Sequence, residues 1–475
     1  MVNRLGALDA AFLYVEEPTL PMHVGSVMVF EPPAEGFDYD RFVAVVGDRV
    51  AGHSRYRQRI REVPGRLDKP VWVDDQHFDL TYHVRRSALP APGSRGDLEE
   101  FVARIMARPL DRDRPLWEAY FVEGLAGGRF AVVTKAHQAM LDGIHAVDLA
   151  QLLVDPDAVP VVDSSTTVRK EPSDLRLVTD ALLGSFFNPA RVVATLGGGL
   201  RDVSASGRRV ADSAGKVVST LAKVGTRPAP DSPLNAPVGA ARRYVMLETD
   251  LDDYRKIRSH LTRGKYVDDV TINDVILATV TGALRAWMQT RGLPVTSTST
   301  VRVMVPVSIV DGSGDPLTDA AMTACFIDLP IGENNPSMRL HQIAFAMRQQ
   351  IESASAEGMG ATSLASIGGF APPTLHTLGA RLGSAMTRRL FNLVITNVPG
   401  PQQELHVEGC RLCETYPVMP LGRGQGLAIG LTSYDGKVYF GLNGDRDSMA
   451  DLDLLAQSIE DALGELRSAR RSRGA

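Results

Sequence analysis

His137 and Asp142 stand close together in AHQAMLDG, with Gln138 after the histidine and Gly143 closing the run. A histidine titrates near neutral pH, so an imidazole fixed at the end of a strand can serve as a general base. Asp142 suits a structural part, holding its loop by a buried ion pair or backbone hydrogen bonds, and Gly143 permits the tight turn. Gln138 cannot act as acid or base, because its amide neither takes nor releases a proton near pH 7. It can orient a hydroxyl through a hydrogen bond. On an extended strand His137 and Gln138 point to opposite faces, and a slip or bulge of one residue exchanges them. His145, further on, is a third candidate.

The elements that must position these side chains are legible around them. Residues 130–136 are apolar except for Thr134 and Lys135, which predicts a largely buried strand ending at His137. After Asp142 the period changes: Ile144, Val147, Leu149, Leu152 and Leu153 recur at helical spacing. Upstream, Pro115-Leu116-Trp117 opens a strand to Glu123, and Ala126-Gly127-Gly128 supplies a turn. The two strands are therefore expected side by side.

The run HQAMLDG resembles the His-His-x-x-x-Asp-Gly motif of acyl-CoA-dependent acyltransferases and peptide-synthetase condensation domains. The opening LGALDAAFLYVEEPTLPMHVGSVMVF, the Pro-Leu-Trp segment, the pair Asn273-Asp274 and NLVITNVPGP at 392–401 narrow it. Together they resemble the bacterial wax ester synthase/diacylglycerol acyltransferase family, of mycobacterial triacylglycerol synthase type. Similarity runs in separated segments over nearly the whole chain. One departure stands out: the motif's second histidine, the base of the family, is Gln138 here.

The bulk numbers agree with an enzyme of that size. At 475 residues the chain exceeds one ordinary core, so two domains are expected. Hydrophobic residues make up 44% and charged ones 23%, as in globular proteins. A net charge of −5, with no basic stripe, gives no reason to expect nucleic acid. Cys325, Cys410 and Cys413 make no disulfide framework, and a lone C-x-x-C lacks half a zinc site, so reduced thiols are expected. Asp74, Asp75 and His77 are a weak metal signal that a solvated turn explains. No leader peptide is expected, nor any apolar run near the roughly 18 residues that span a bilayer.

Periodicity predicts helices over 38–50, 97–108 and 336–353, with a closing helix through Leu452, Leu455, Ile459, Leu463 and Leu466. Strands are expected at 26–30, 243–248, 301–308, 392–401 and 438–442. His23 is expected as a packed structural histidine. Thr271-x-x-Asp274 is a capping box opening a helix with Ile276, Val280, Ala283 and Trp287 inward, which explains Asn273 and Asp274 as well as a site-shaping part does. Pro, Ser, Thr and Asp cluster after Asp155 and again at 227–239. The expected organisation is an N-terminal acyltransferase domain at 1–160, a helical linker at 161–239 and a C-terminal domain at 240–475. The linker's apolar stripe (Leu182, Phe186, Val192, Val193, Leu196) can pack on the domains or lie on a membrane surface.

The resemblance implies an α/β fold of two domains, each a mixed sheet flanked by helices, with a channel between them where related proteins cross strands near 392–401. It implies O-acyl transfer from long-chain acyl-CoA to diacylglycerol, or to a fatty alcohol. His137 is then the expected base and Asp142 its structural neighbour, with Gln138, Gly143, Asn273 and Asp274 in support. No metal or redox cofactor is implied; acyl-CoA is a co-substrate. The expected place is cytoplasmic, in peripheral contact with the inner membrane face or lipid inclusions. Two alternatives stay open: a weakened or non-catalytic lipid- or acyl-CoA-binding relative, because of Gln138, and an acyltransferase for another alcohol or amine.

Overall fold

A computed structural model describes residues 3–140, 149–154, 171–186, 228–261, 270–310, 320–356 and 390–469. Two six-stranded mixed sheets carry the molecule, each with its own apolar core. A small third sheet joins β1 (Asn3–Arg4), β4 (Val71–Asp74) and β3 (Gln58–Arg61).

The first sheet runs in the order β12 (His406–Val407), β13 (Cys410–Val418), β2 (His23–Glu31), β7 (Phe130–His137), β6 (Trp117–Glu123) and β5 (Val84–Ala88). The turn at 126–128 returns β6 into β7 as an antiparallel hairpin, as its glycines predict. β7 is buried along its whole length, which is why its sequence lacks the alternation of a half-exposed strand. Two amphipathic helices bring their apolar faces to this core. α2 (Tyr39–Ala51) is capped by Asp38 and buries Phe42, Val45, Val46 and Val50; α4 (Arg95–Met106) opens on a Ser94–Asp97 capping box. The other described helices of the first half are α1 (Ala7–Val15), a short turn α3 (Leu80–His83), α5 (Leu149–Val154) and α6 (Asp174–Phe186). Leu177 of α6 packs on Val63, Val71 and Val73 at the small sheet. The side chains of Leu182 and Phe186, like Val192, Val193 and Leu196, lie outside the described residues.

The second sheet runs β10 (Ala320–Leu329), β9 (Val301–Val310), β11 (Leu393–Pro399), β14 (Leu427–Tyr434), β15 (Lys437–Asp445) and β8 (Arg242–Asp250). Its described helices are α7 (Leu251–Leu261), α8 (Ile272–Thr290), α9 (Pro336–Ala356) and α10 (Leu452–Ser468). The Thr271–Asp274 capping box forms as its spacing predicts, and Trp287 of α8 is fully buried while its Nε1–H donates to Asp451 at 3.1 Å.

The expected crossing at 392–401 lies elsewhere. Residues 393–399 form β11, inside the second sheet between β9 and β14, and β13 is the strand that leaves its own half to pair with β2. β13 also lies on β8 and β15: the Tyr244 hydroxyl of β8 donates to the Pro417 carbonyl, and the Asn443 amide of β15 to the Met419 carbonyl just past β13, at 3.0 and 2.7 Å. Gly441 makes this approach possible, since a Cβ there would stand 1.8 Å from the Pro417 carbonyl oxygen.

Candidate active site

β2 and β7 are antiparallel neighbours, and their register sets His23 opposite His137. The ring centroids are 6.3 Å apart, edge to face, and both residues are sealed, at 2% and 1% exposure. Against them lies the carboxylate of Glu16, just past the end of α1. Its Oε1 is 3.5 Å from His137 Nε2 and 3.8 Å from His23 Nε2. These are ionic distances rather than formed hydrogen bonds. The Met22 N–H donates to the same oxygen at 3.2 Å, and Arg112 Nη2 donates to the other at 2.6 Å.

The charges follow from these contacts. Burial by itself would raise the Glu16 carboxyl, but His137, Arg112 and His23 outweigh it and hold the group down at about 2. Glu16 is thus an anion at ordinary pH. His23 is lowered to about 3, by burial first and then by the Lys135 ammonium, against the pull of the Met106 carbonyl and Glu16. Being neutral, His23 donates Nδ1–H to the Met106 carbonyl at 3.2 Å and turns a bare Nε2 towards Glu16. In His137 the assignment reverses. The Ala139 N–H donates to Nδ1 at 3.0 Å, so a neutral ring carries its proton on Nε2, the nitrogen nearer Glu16.

His137 is therefore sealed with its only lone pair engaged by Ala139 and its Nε2 buried. Neither ring nitrogen is presented to a substrate in this arrangement, whereas the base expected from the sequence needs a free lone pair facing one. Gln138 is the first residue beyond β7, anchored by its N–H on the Met22 carbonyl at 2.8 Å. Of residues 137–140 it alone is not buried. Asp142, Gly143 and His145 lie outside the described residues.

The other sequence candidates are distributed. Trp117 is fully buried, its Nε1–H on the Tyr56 carbonyl and its ring stacked on His83 at 4.6 Å. Asp274 is buried at the start of α8, where it accepts from both the backbone and hydroxyl of Thr271; Asn273 Oδ1 accepts from Asn397 Nδ2 at 3.1 Å. Both belong to the second half. Asp75 accepts the His77 N–H in a local turn and Asp74 accepts from Gln58. Among the described residues no three His, Cys, Asp or Glu side chains are grouped as metal ligands. The residue that sequence reasoning missed is Glu16. The one available signal is a carboxylate shortly before a histidine in the opening segment, and nothing in that spacing says the two meet.

Two mixed sheets bridged by a strand from the second half define the class: the two-domain fold of CoA-dependent acyltransferases. The starter condensation domain of rhizomide synthetase RzmA, solved with C8-CoA and Leu-SNAC, shares it at a TM-score of 0.56 and 13% identity, over 99% of this chain and 95% of that one. The chain belongs to the wax ester synthase/diacylglycerol acyltransferase family, a family of acyltransferase enzymes. The family's catalytic-domain pattern matches residues 5–276 and its C-terminal-domain pattern residues 319–467. A probable diacylglycerol O-acyltransferase of Mycobacterium tuberculosis strain H37Rv is 33% identical over 100% of this chain and 99% of its own. The wax ester synthase/diacylglycerol acyltransferase of Marinobacter aquaeolei VT8 superposes with a TM-score of 0.66 at 26% identity, covering 98% of each chain.

Proposed function

We propose that this protein transfers a long-chain acyl group from acyl-CoA to the hydroxyl of diacylglycerol, making triacylglycerol. The observation that carries the reading is the family match over both domains, with the strand end at His137 and Gln138 inside the catalytic one. The hydroxyl oxygen attacks the thioester carbonyl, a C–O bond forms, the C–S bond breaks, and the hydroxyl proton leaves with the CoA thiol. Gln138 orients the hydroxyl by a hydrogen bond. His137, held by Ala139 and Glu16, is a positioning residue that fixes where Gln138 stands.

Lacking a base at Gln138 leaves room for catalysis. A general base contributes about 100- to 10,000-fold, while holding two reactants together can contribute more. The same residue favours a second reading, a relative that binds acyl-CoA without turning it over. No described helix is long and apolar enough to cross a membrane, and we assign peripheral contact with a membrane or lipid inclusion, where diacylglycerol resides. The test is turnover of palmitoyl-CoA with diolein in phospholipid vesicles by the full chain. Triacylglycerol formed in step with free thiol supports the first reading. Thiol release without triacylglycerol points to another acceptor, and no release at all supports the second.

A further inference from the structure

The end of β7 is tied to the second half through a turn that follows α1. Residues 17–20 close on themselves, with the Leu20 N–H on the Glu17 carbonyl at 2.8 Å and the reverse bond at 3.4 Å. On its first-half side the turn is flanked by Glu16, beside His137, and by Met22, whose carbonyl accepts the Gln138 N–H. On its other side it meets the second half. Leu20 and Met22 pack with Leu421 and Ala428, the Glu17 carboxylate faces Arg423 at 3.5 Å, and the Thr19 carbonyl accepts from Arg242 Nη2 at 2.5 Å. Arg242 opens β8 and is buried, at 5% exposure. Its Nη1 donates to two more carbonyls, Gly239 at 2.7 Å and Ala241 at 3.2 Å. Asp445, its register partner on β15, accepts from Gly239 and Ser448 instead. Burying a charge is costly, and a guanidinium's planar fork is suited to gathering carbonyls from two distant segments.

We propose that Arg242 is a positioning residue for the acyl transfer proposed above, on which this inference rests: through the Thr19 carbonyl and the turn to Met22 it sets where Gln138 stands relative to the second half. The path is short, from the guanidinium to Thr19, around the turn to Met22, and across one hydrogen bond to residue 138. Holding reacting groups in place accounts for several orders of magnitude in rate, and a displacement of about 1 Å can cost about 100-fold. A tie of this kind acts on kcat rather than on substrate binding. The Glu17–Arg423 pair touches the same turn from solvent, where an ion pair contributes little.

The test compares the full chain with Arg242→Met, Arg242→Lys and Arg423→Ala, each checked for folding by circular dichroism. Amide exchange at Gln138, read by mass spectrometry against exchange along β14 to correct for general loosening, is expected to quicken at least about tenfold in Arg242→Met. It should quicken less in Arg242→Lys and not at all in Arg423→Ala. For triacylglycerol formation, Arg242→Met should lower kcat about 10- to 100-fold and leave KM for palmitoyl-CoA within about twofold. The gain from Gln138→His should shrink at least about tenfold in the Arg242→Met background, because a base added there is displaced with its strand end. An arginine that only stabilises the fold leaves that gain intact. If Arg242→Met does not fold, Arg242→Lys carries each comparison. Wild-type exchange at Gln138 in a folded variant overturns the proposal, and so does an undiminished gain from Gln138→His. A full chain that turns over no palmitoyl-CoA removes the acyl-transfer reading alone, and exchange at Gln138 then decides whether the tie exists.

Discussion

Glu16 Oε1 stands 3.5 Å from His137 Nε2, so the end of the first helix and the end of the central strand meet through one carboxylate. Glu16→Gln keeps the shape and an acceptor for the Met22 N–H but deletes the charge that faces Arg112 and the two rings. The expected loss is about 1–3 kcal/mol, the range for a buried polar contact broken on one side. Urea unfolding of the two proteins measures it, and a difference within about 0.5 kcal/mol would reduce Glu16 to an ordinary surface position.

The same cluster makes the fold acid-labile. Glu16 is depressed from 4.5 to about 2, so its stabilisation is complete above pH 4.5 and drains away as pH falls towards 2. His23 is depressed from 6.5 to about 3, so the unfolded chain takes its proton first and stability falls as pH drops from 6.5 towards 3. Both slopes have one sign, and each reaches at most about 1.4 kcal/mol per pH unit. Urea midpoints are therefore expected to fall from pH 6.5 to 5. His23→Gln should flatten that upper window, and an equally steep fall in the variant would assign the lability to other groups.

Gln138 follows the buried strand end without being sealed, which makes it the place to add a base. Gln138→His is expected to raise kcat/KM for triacylglycerol formation by about 100-fold or more. It should also bring a pH dependence centred near the ordinary histidine range that is absent from the wild-type profile measured beside it. A folded variant with neither change would mean that residue 138 does not reach the acceptor hydroxyl. His137→Ala should lower activity without altering the shape of that profile, as a positioning residue does.

Gly25 lies in β2 between His23 and Ser26, where a Cβ would stand 2.0 Å from the Thr134 carbonyl oxygen of β7. Backbone cannot yield as a side-chain tip can, so Gly25→Ala must force β2 away from β7. It would strain the Ser26 N–H bond to the Thr134 hydroxyl and the facing of His23 on His137. A loss of about 2–4 kcal/mol is expected, in the upper range for overpacking, together with loss of turnover. Wild-type stability in thermal and urea unfolding would show that β2 has room to move.

What could be read from the sequence was local. The β6–β7 hairpin follows from an apolar run and two glycines, and α8 from the Thr271–Asp274 box. α2, α4, α9 and α10 follow from helical spacing, with ends displaced by a few residues. What could not be read depends on chain segments far apart. Glu16 meets His137 only because α1 ends where β7 ends, and no pattern in LYVEEPTLPMHVG encodes that meeting. β13 hides because a bulge between Leu412 and Glu414 breaks the alternation that would mark it as a strand. Its pairing with β2 spans most of the chain.

Asn392 shows how one buried polar residue at the head of a strand can hold the second half together. It is fully buried just before β11, and its side chain is satisfied on every side. Oδ1 accepts the Arg302 N–H at 2.8 Å, while Nδ2 donates to the Pro230 carbonyl at 2.8 Å and to Asn235 Oδ1 at 2.5 Å. The segment at 230–235 is thereby fastened to the β9 and β11 strands. Asn392→Leu fills similar space but strands three partly buried partners at once, and each stranded group costs about 1–3 kcal/mol unless water reaches it. A net loss of about 2–5 kcal/mol in urea unfolding is expected, with faster proteolysis near 228–235 under native conditions as the local signature. Asn392→Asp, which keeps the acceptor for Arg302 but loses both donors, should fall between the two. A leucine variant as stable as the wild type would show that this segment is held by its apolar contacts at Leu234 instead.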